Sequence, residues 1–176
     1  EGDSYESIIG SGWLGALPHA RPSDKKFEKG DFVVMDFGAL YNGYHADMTR
    51  TIVIGKASEK HKEIYNIVLK SQLAGINLAK AGITGAELDS ACRKVIVDAG
   101  YGDKFIHSTG HGIGLEVHTH PRISSFNNEP GLAAVLLNFL FLCSTQSLIR
   151  CGVRSVNDSL CSLFSHLSIS RYSVIL

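Results

Sequence analysis

Residues 30–55 read GDFVVMDFGALYNGYHADMTRTIVIG, two apolar runs joined by a turn dipeptide, and each run carries one acid. The first run, 32–40, is short and β-branched enough for a buried strand. Asn42-Gly43 supplies turn chemistry, and the second run, 44–55, returns, so the stretch predicts a β-hairpin. Asp36 interrupts the first strand and Asp47 the second. A buried carboxylate without a partner costs several kcal/mol, so each requires a cation or strong donors. A tight hairpin brings both acids to one end or face of a sheet.

Downstream, 59–80 places Ile64, Ile67, Val68, Leu73 and Ile76 near one face of an amphipathic helix, with Ser58 as N-cap and Gly82 just past the end. TGAE at 84–87 is a capping-box pattern that opens a second helix through Leu88, Cys92, Val95 and Ile96 to Gly100. Both helices are expected to cover a sheet face. At 176 residues it is long enough for one domain with a real core.

The stretch HSTGHGIGLEVHTHP, 107–121, holds four histidines: His107, His111, His118 and His120. His111 is flanked by Gly110, Gly112 and Gly114, which let backbone approach a site closely. With Asp36 and Asp47 it makes a mixed oxygen and nitrogen set suited to divalent Mn, Co, Zn or Fe. Spacing leaves this open, since two aspartates in turns and a histidine in a glycine loop also occur as ordinary structure.

Lys plus Arg and Asp plus Glu balance at 17 each, and the isoelectric point is about 7.3. No global field points to nucleic acid or an anionic membrane surface. Three of the four cysteines, Cys143, Cys151 and Cys161, lack the close pairs of a zinc knuckle, and Cys92 sits in a helical pattern. Reduced thiols in a cytoplasmic protein are the reading. The apolar run LAAVLLNFLFLC from Leu132 is shorter than the roughly 20 residues a membrane helix needs. The start, EGDSYESIIG, has neither a basic leader nor an apolar core and reads as the middle of a gene product.

Taken together, GSGWLGALPHARPSD (10–24), residues 30–55 and HSTGHGIGLEVHTHPRIS (107–124) resemble the creatinase, prolidase and aminopeptidase P group of metallopeptidases. The similarity runs over about residues 2–131, and three motifs in the right order make it specific. It implies the pita-bread α+β fold, a curved antiparallel sheet flanked by helices, incomplete in this chain, with strand edges left unpaired. It also implies two divalent metal ions, Mn first and Co or Zn as alternatives, that activate a bridging water or hydroxide to cut a peptide bond next to proline. By motif, Asp36 and Asp47 are the carboxylate ligands, with Asp47 bridging, and His111 is the imidazole ligand. His19, His107 and His118 match histidines that bind substrate, shuttle a proton or stabilise the tetrahedral intermediate, and His120 has no assigned role. ALPHARPSD points to the proline-specific branch, with a proline-containing peptide as partner and a homodimer as the assembly to consider.

The family pattern continues with two further glutamate ligands. Counting on from Glu129-Pro130-Gly131 puts Leu137 at the first, and GVRSVND, 152–158, puts Val156 at the second. Glu116 and Glu129 are not taken as substitutes. Of the 17 acids only Asp158 lies beyond Glu129, and periodicity stops near residue 132. The expectation is therefore a partial catalytic domain over 1–131 and a divergent tail over 132–176, read as frame-shifted, read-through or alternatively spliced. Loss of both glutamates predicts an impaired or inactive peptidase, and the alternative is a non-catalytic binding module on the same fold.

Overall fold

The computed structural model describes residues 1–129. Its strands are β1 (Gly2–Asp3), β2 (Ile8–Ser11), β3 (Phe32–Phe37), β4 (Ala39–Tyr41), β5 (Tyr44–His45), β6 (Met48–Val53), β7 (Gly110–Gly112) and β8 (Thr119–Ile123). Two helices, α1 (Glu59–Leu78) and α2 (Gly85–Asp98), lie between β6 and β7. The strands form three antiparallel sheets, ordered β1-β4-β5, β2-β3-β6 and β7-β8.

The predicted hairpin is present, but it divides between two sheets. Tyr41 pairs with Tyr44 across a turn in which Asn42 (φ 49°) and Gly43 (φ 81°) are both left-handed. That is the two-residue turn whose twist matches the flanking strands. The expected single strand over 32–40 breaks at Gly38, where the return strand crowds against it: a Cβ there would lie 1.9 Å from the Ala46 carbonyl oxygen. Beyond the break, β4 and β5 join β1, while β3 sits between β2 and β6 with Asp36 opposite Ile8 and Thr49. Asp47 falls at the corresponding bend of the return strand, between β5 and β6.

Both helices start as predicted. Ser58 caps α1 and Thr84 caps α2, each in a capping box closed by His61 and Glu87 respectively. The buried face of α1 differs from the expected one. It consists of Ile64, Val68, Ser71 and Gly75, while Leu73 and Ile76 are exposed. At about 100° per residue Leu73 lies half a turn round from Ile64, so one stripe cannot hold both. Ile64 and Val68 pack on Ile96 and Phe105, and the buried Ser71 hydroxyl donates to the Cys92 carbonyl at 2.8 Å. Further along the same stripe α2 packs Leu88 and Cys92 against Ile83 and Ile123 of β8. Thus α2 covers a strand, whereas α1 covers mainly α2 and reaches β3 through the His61–Phe32 ring contact.

No helix among the described residues is long and apolar enough to cross a membrane. The 131/132 boundary, Leu137, Val156 and the three later cysteines lie outside the described residues.

Candidate metal and substrate site

One cavity of about 540 Å³ is lined by all six residues singled out from sequence: His19, Asp36, Asp47, His107, His111 and His118. They come from six separate stretches of the chain. Asp36 is the last residue but one of β3 and Asp47 sits at the hairpin bend, β7 carries His111, and His19, His107 and His118 stand on three separate loops lining the cavity. His120 does not line the cavity. The imidazoles of His111 and His118 contact each other, with ring centres 4.3 Å apart. The Nε2 of His111 lies 3.6 Å from Asp47 Oδ2.

Asp36 and Asp47 are buried, and a residue that the sequence reading passed over lies between them. The Tyr5 hydroxyl is 2.7 Å from Asp36 Oδ1 and 2.7 Å from Asp47 Oδ1. A phenol has one proton, so it donates to one carboxylate at a time. Burial, followed by the adjacent Asp36 charge, pushes Asp47 up to about 7. A proton held on Asp47 and donated back to the phenol oxygen accounts for the second contact. Burial and the two carboxylates drive the Tyr5 phenol far above its ordinary range, so it stays neutral. Tyr5 is 31 and 42 residues from its partners, a separation no local pattern reports.

The imidazoles have defined orientations. His111 Nδ1 lies 3.0 Å from the Gly112 carbonyl oxygen and His107 Nδ1 lies 2.8 Å from that of Ser108. A nitrogen facing a carbonyl must carry the proton, which leaves Nε2 as the lone-pair nitrogen of each neutral ring. For His111 that lone pair is on the nitrogen beside Asp47, the arrangement of an imidazole whose outer N–H is tied to backbone and whose inner nitrogen is open to a cation. Burial foremost, and then the electrostatic influence of the neighbouring His111, Arg122 and His19, lowers His118 below the usual histidine range.

As they stand, no three His, Cys, Asp or Glu side chains among the described residues converge tightly enough to hold an ion. The Tyr5 hydroxyl occupies the space between the aspartates. The donor chemistry nevertheless fits a divalent cation: two buried carboxylates on a neutral phenol have a charge deficit, and the nearest imidazole presents a lone pair. Asp36, Asp47 and His111 would be the residues to hold it.

The model of metallopeptidase family M24 matches residues 1–136. The chain belongs to that family. A relative in M24, the Xaa-Pro dipeptidase of Pyrococcus furiosus, is 54% identical over 127 residues, which are 72% of this chain and 36% of the relative. The solved prolidase from Pyrococcus furiosus superposes with a TM-score of 0.72 at 52% identity, covering 75% of this chain and 39% of that one. The X-Pro aminopeptidase from Thermotoga maritima MSB8 gives 0.72 at 51% identity, covering 74% and 37%. The chain thus spans well under half the length of these M24 relatives, and its fold is the expected pita-bread α+β fold in part.

Proposed function

We propose that the cavity is the substrate and metal site of an Xaa-Pro dipeptidase or aminopeptidase P type peptidase, which cleaves peptide bonds next to proline. The observation that carries this reading is the pair of buried aspartates on one phenol, facing the Nε2 of His111 across the cavity wall. Similarity to relatives named for Xaa-Pro substrates supports the substrate class. Asp36, Asp47 and His111 would hold divalent ions, two by family pattern and Mn first in order. The chemistry that such ions supply is Lewis-acid polarisation of a carbonyl and acidification of water.

The chain's own residues divide the remaining work. Were a cation to neutralise the pair, Asp47 would be ionised, and Tyr5 would still donate its one proton to one of the two carboxylates. His107, with its Nδ1 proton committed to Ser108, has Nε2 to accept a proton and donate it to a developing oxyanion. His118, its charge disfavoured, serves the substrate as a neutral hydrogen-bonding ring, and His19 lines the same cavity for binding or proton transfer.

A second reading, a non-catalytic binding module on the same fold, is favoured by one observation. The Tyr5 hydroxyl already joins the two aspartates, and the sequence places Leu137 and Val156 at the remaining ligand positions. Gly-Pro and an X-Pro-X peptide, incubated with the purified chain and added Mn²⁺, separate the two. Turnover abolished by Asp47→Ala supports the peptidase, and no turnover above the Asp47→Ala background supports the module.

A further inference from the structure

Residues 105–109 follow the 3-10 turn Gly102–Lys104, lead into β7 and carry His107, yet no strand pairs with them among the described residues. Two side chains of α2 hold the segment instead. Arg93 Nη1 donates to the Phe105 carbonyl at 2.6 Å, and Nη2 donates to the His107 carbonyl at 2.9 Å. Asp89 Oδ1 accepts from the Thr109 backbone N–H at 3.1 Å and from its hydroxyl at 2.8 Å. Residues 105, 107 and 109 are thereby anchored at the two-residue repeat of an extended strand. The intervening Ile106 is 77% exposed. An i,i+4 pair on a helix takes the place of a strand neighbour.

The pair is itself tightly specified. Arg93 Nε and Nη2 fork onto both oxygens of Asp89 at 2.9 and 3.1 Å, and Asp89 is fully buried. A buried carboxylate is tolerated when its lone pairs are filled, and here four donors fill them. The guanidinium also lies over the Phe105 ring, 4.3 Å from its centre. That ring meets the His107 imidazole edge-on at 4.9 Å. Arg93 therefore fixes His107 at its carbonyl directly and at its ring through Phe105, while Asp89 fixes Thr109, the residue before the strand of His111.

We propose that Asp89 and Arg93 form a positioning pair that holds His107 at the cavity wall and sets the approach of the strand bearing His111. The pair touches no substrate and acts through those histidines. Its catalytic consequence rests on the peptidase reading above, while its geometry does not.

The test is residue-resolved carbethoxylation by diethyl pyrocarbonate, read by mass spectrometry on wild type and Arg93→Lys under conditions where circular dichroism shows both folded. Lysine keeps the charge and loses the fork. The expected result is a rise of roughly threefold or more in the His107 rate relative to His61, from local release of the segment, with His19 unchanged. A role confined to stability would lower the thermal midpoint and leave the His107 to His61 ratio at its wild-type value, and that outcome overturns the proposal. If Arg93→Lys does not fold, Thr109→Val, which removes one side-chain bond to Asp89, is held to the same two outcomes. Neither metal nor substrate enters this readout, so it decides the positioning role even where the wild type hydrolyses nothing. Where the wild type does turn over, kcat of Arg93→Lys falls about tenfold with KM little changed, as misplacement of a catalytic group requires.

Discussion

Replacing Tyr5 with Phe removes a single oxygen and separates two accounts of the aspartates. In the metal-free chain that oxygen stands 2.7 Å from both carboxyl groups, which are 8% and 3% exposed and find little water in its place. Loss of a hydrogen bond to a charged group in such surroundings costs about 2 kcal/mol. For a chain of this size that lowers the unfolding midpoint by about 4–8 °C. With a divalent cation between the carboxylates the neutralising role passes to the ion, and the penalty drops below about 1 kcal/mol. The assay is thermal unfolding of wild type and Tyr5→Phe, each in EDTA and in excess Mn²⁺. Equal midpoints for the two proteins in EDTA, or the same gap with and without Mn²⁺, would refute the reasoning.

Three further outcomes follow from the same geometry. Gly38→Ala drives a Cβ to 1.9 Å from the Ala46 oxygen and is expected to cost about 3 kcal/mol by denaturant titration, whereas Gly114→Ala, with nothing within 4 Å, stays within about 0.5 kcal/mol. In EDTA, stability should fall as pH rises through about 7: the folded pKa of Asp47 lies above its unfolded value of 3.8, so its contribution is complete below the unfolded value and lost on ionisation. Thermal scans from pH 4 to 8 should show this component in the wild type and not in Asp47→Asn. Ser71→Ala, which removes the buried hydroxyl bond to the Cys92 carbonyl, should destabilise by about 1 kcal/mol in urea.

Local chemistry was legible in the sequence wherever a short-range rule decides the outcome. Asn42-Gly43 forms the predicted turn, and Ser58 and Thr84 cap the predicted helices. The break at Gly38 was not legible, because it depends on how closely Ala46 approaches from the other strand. Leu73 and Ile76 were assigned to the buried stripe of α1 because they are apolar, but their angular positions turn them outward. The six candidate residues stand out in the sequence through motif order, not spacing, and all six line one cavity. Tyr5 escaped because its partners are brought near only by the fold, and so did the link from Asp89 to Thr109, 20 residues on, although the i,i+4 partner of Asp89, Arg93, is local. In α2 the apolar positions drew the reading to Leu88 and Cys92, past the buried acid between them.

The central claim, that Asp36, Asp47 and His111 of this chain hold a divalent ion, is tested most directly by elemental analysis. The chain is loaded with Mn²⁺, dialysed and compared with Asp47→Ala treated in parallel. Stoichiometric manganese in the wild type and none in the variant is the predicted result. Manganese at background in both, from protein that circular dichroism shows to be folded, would contradict it.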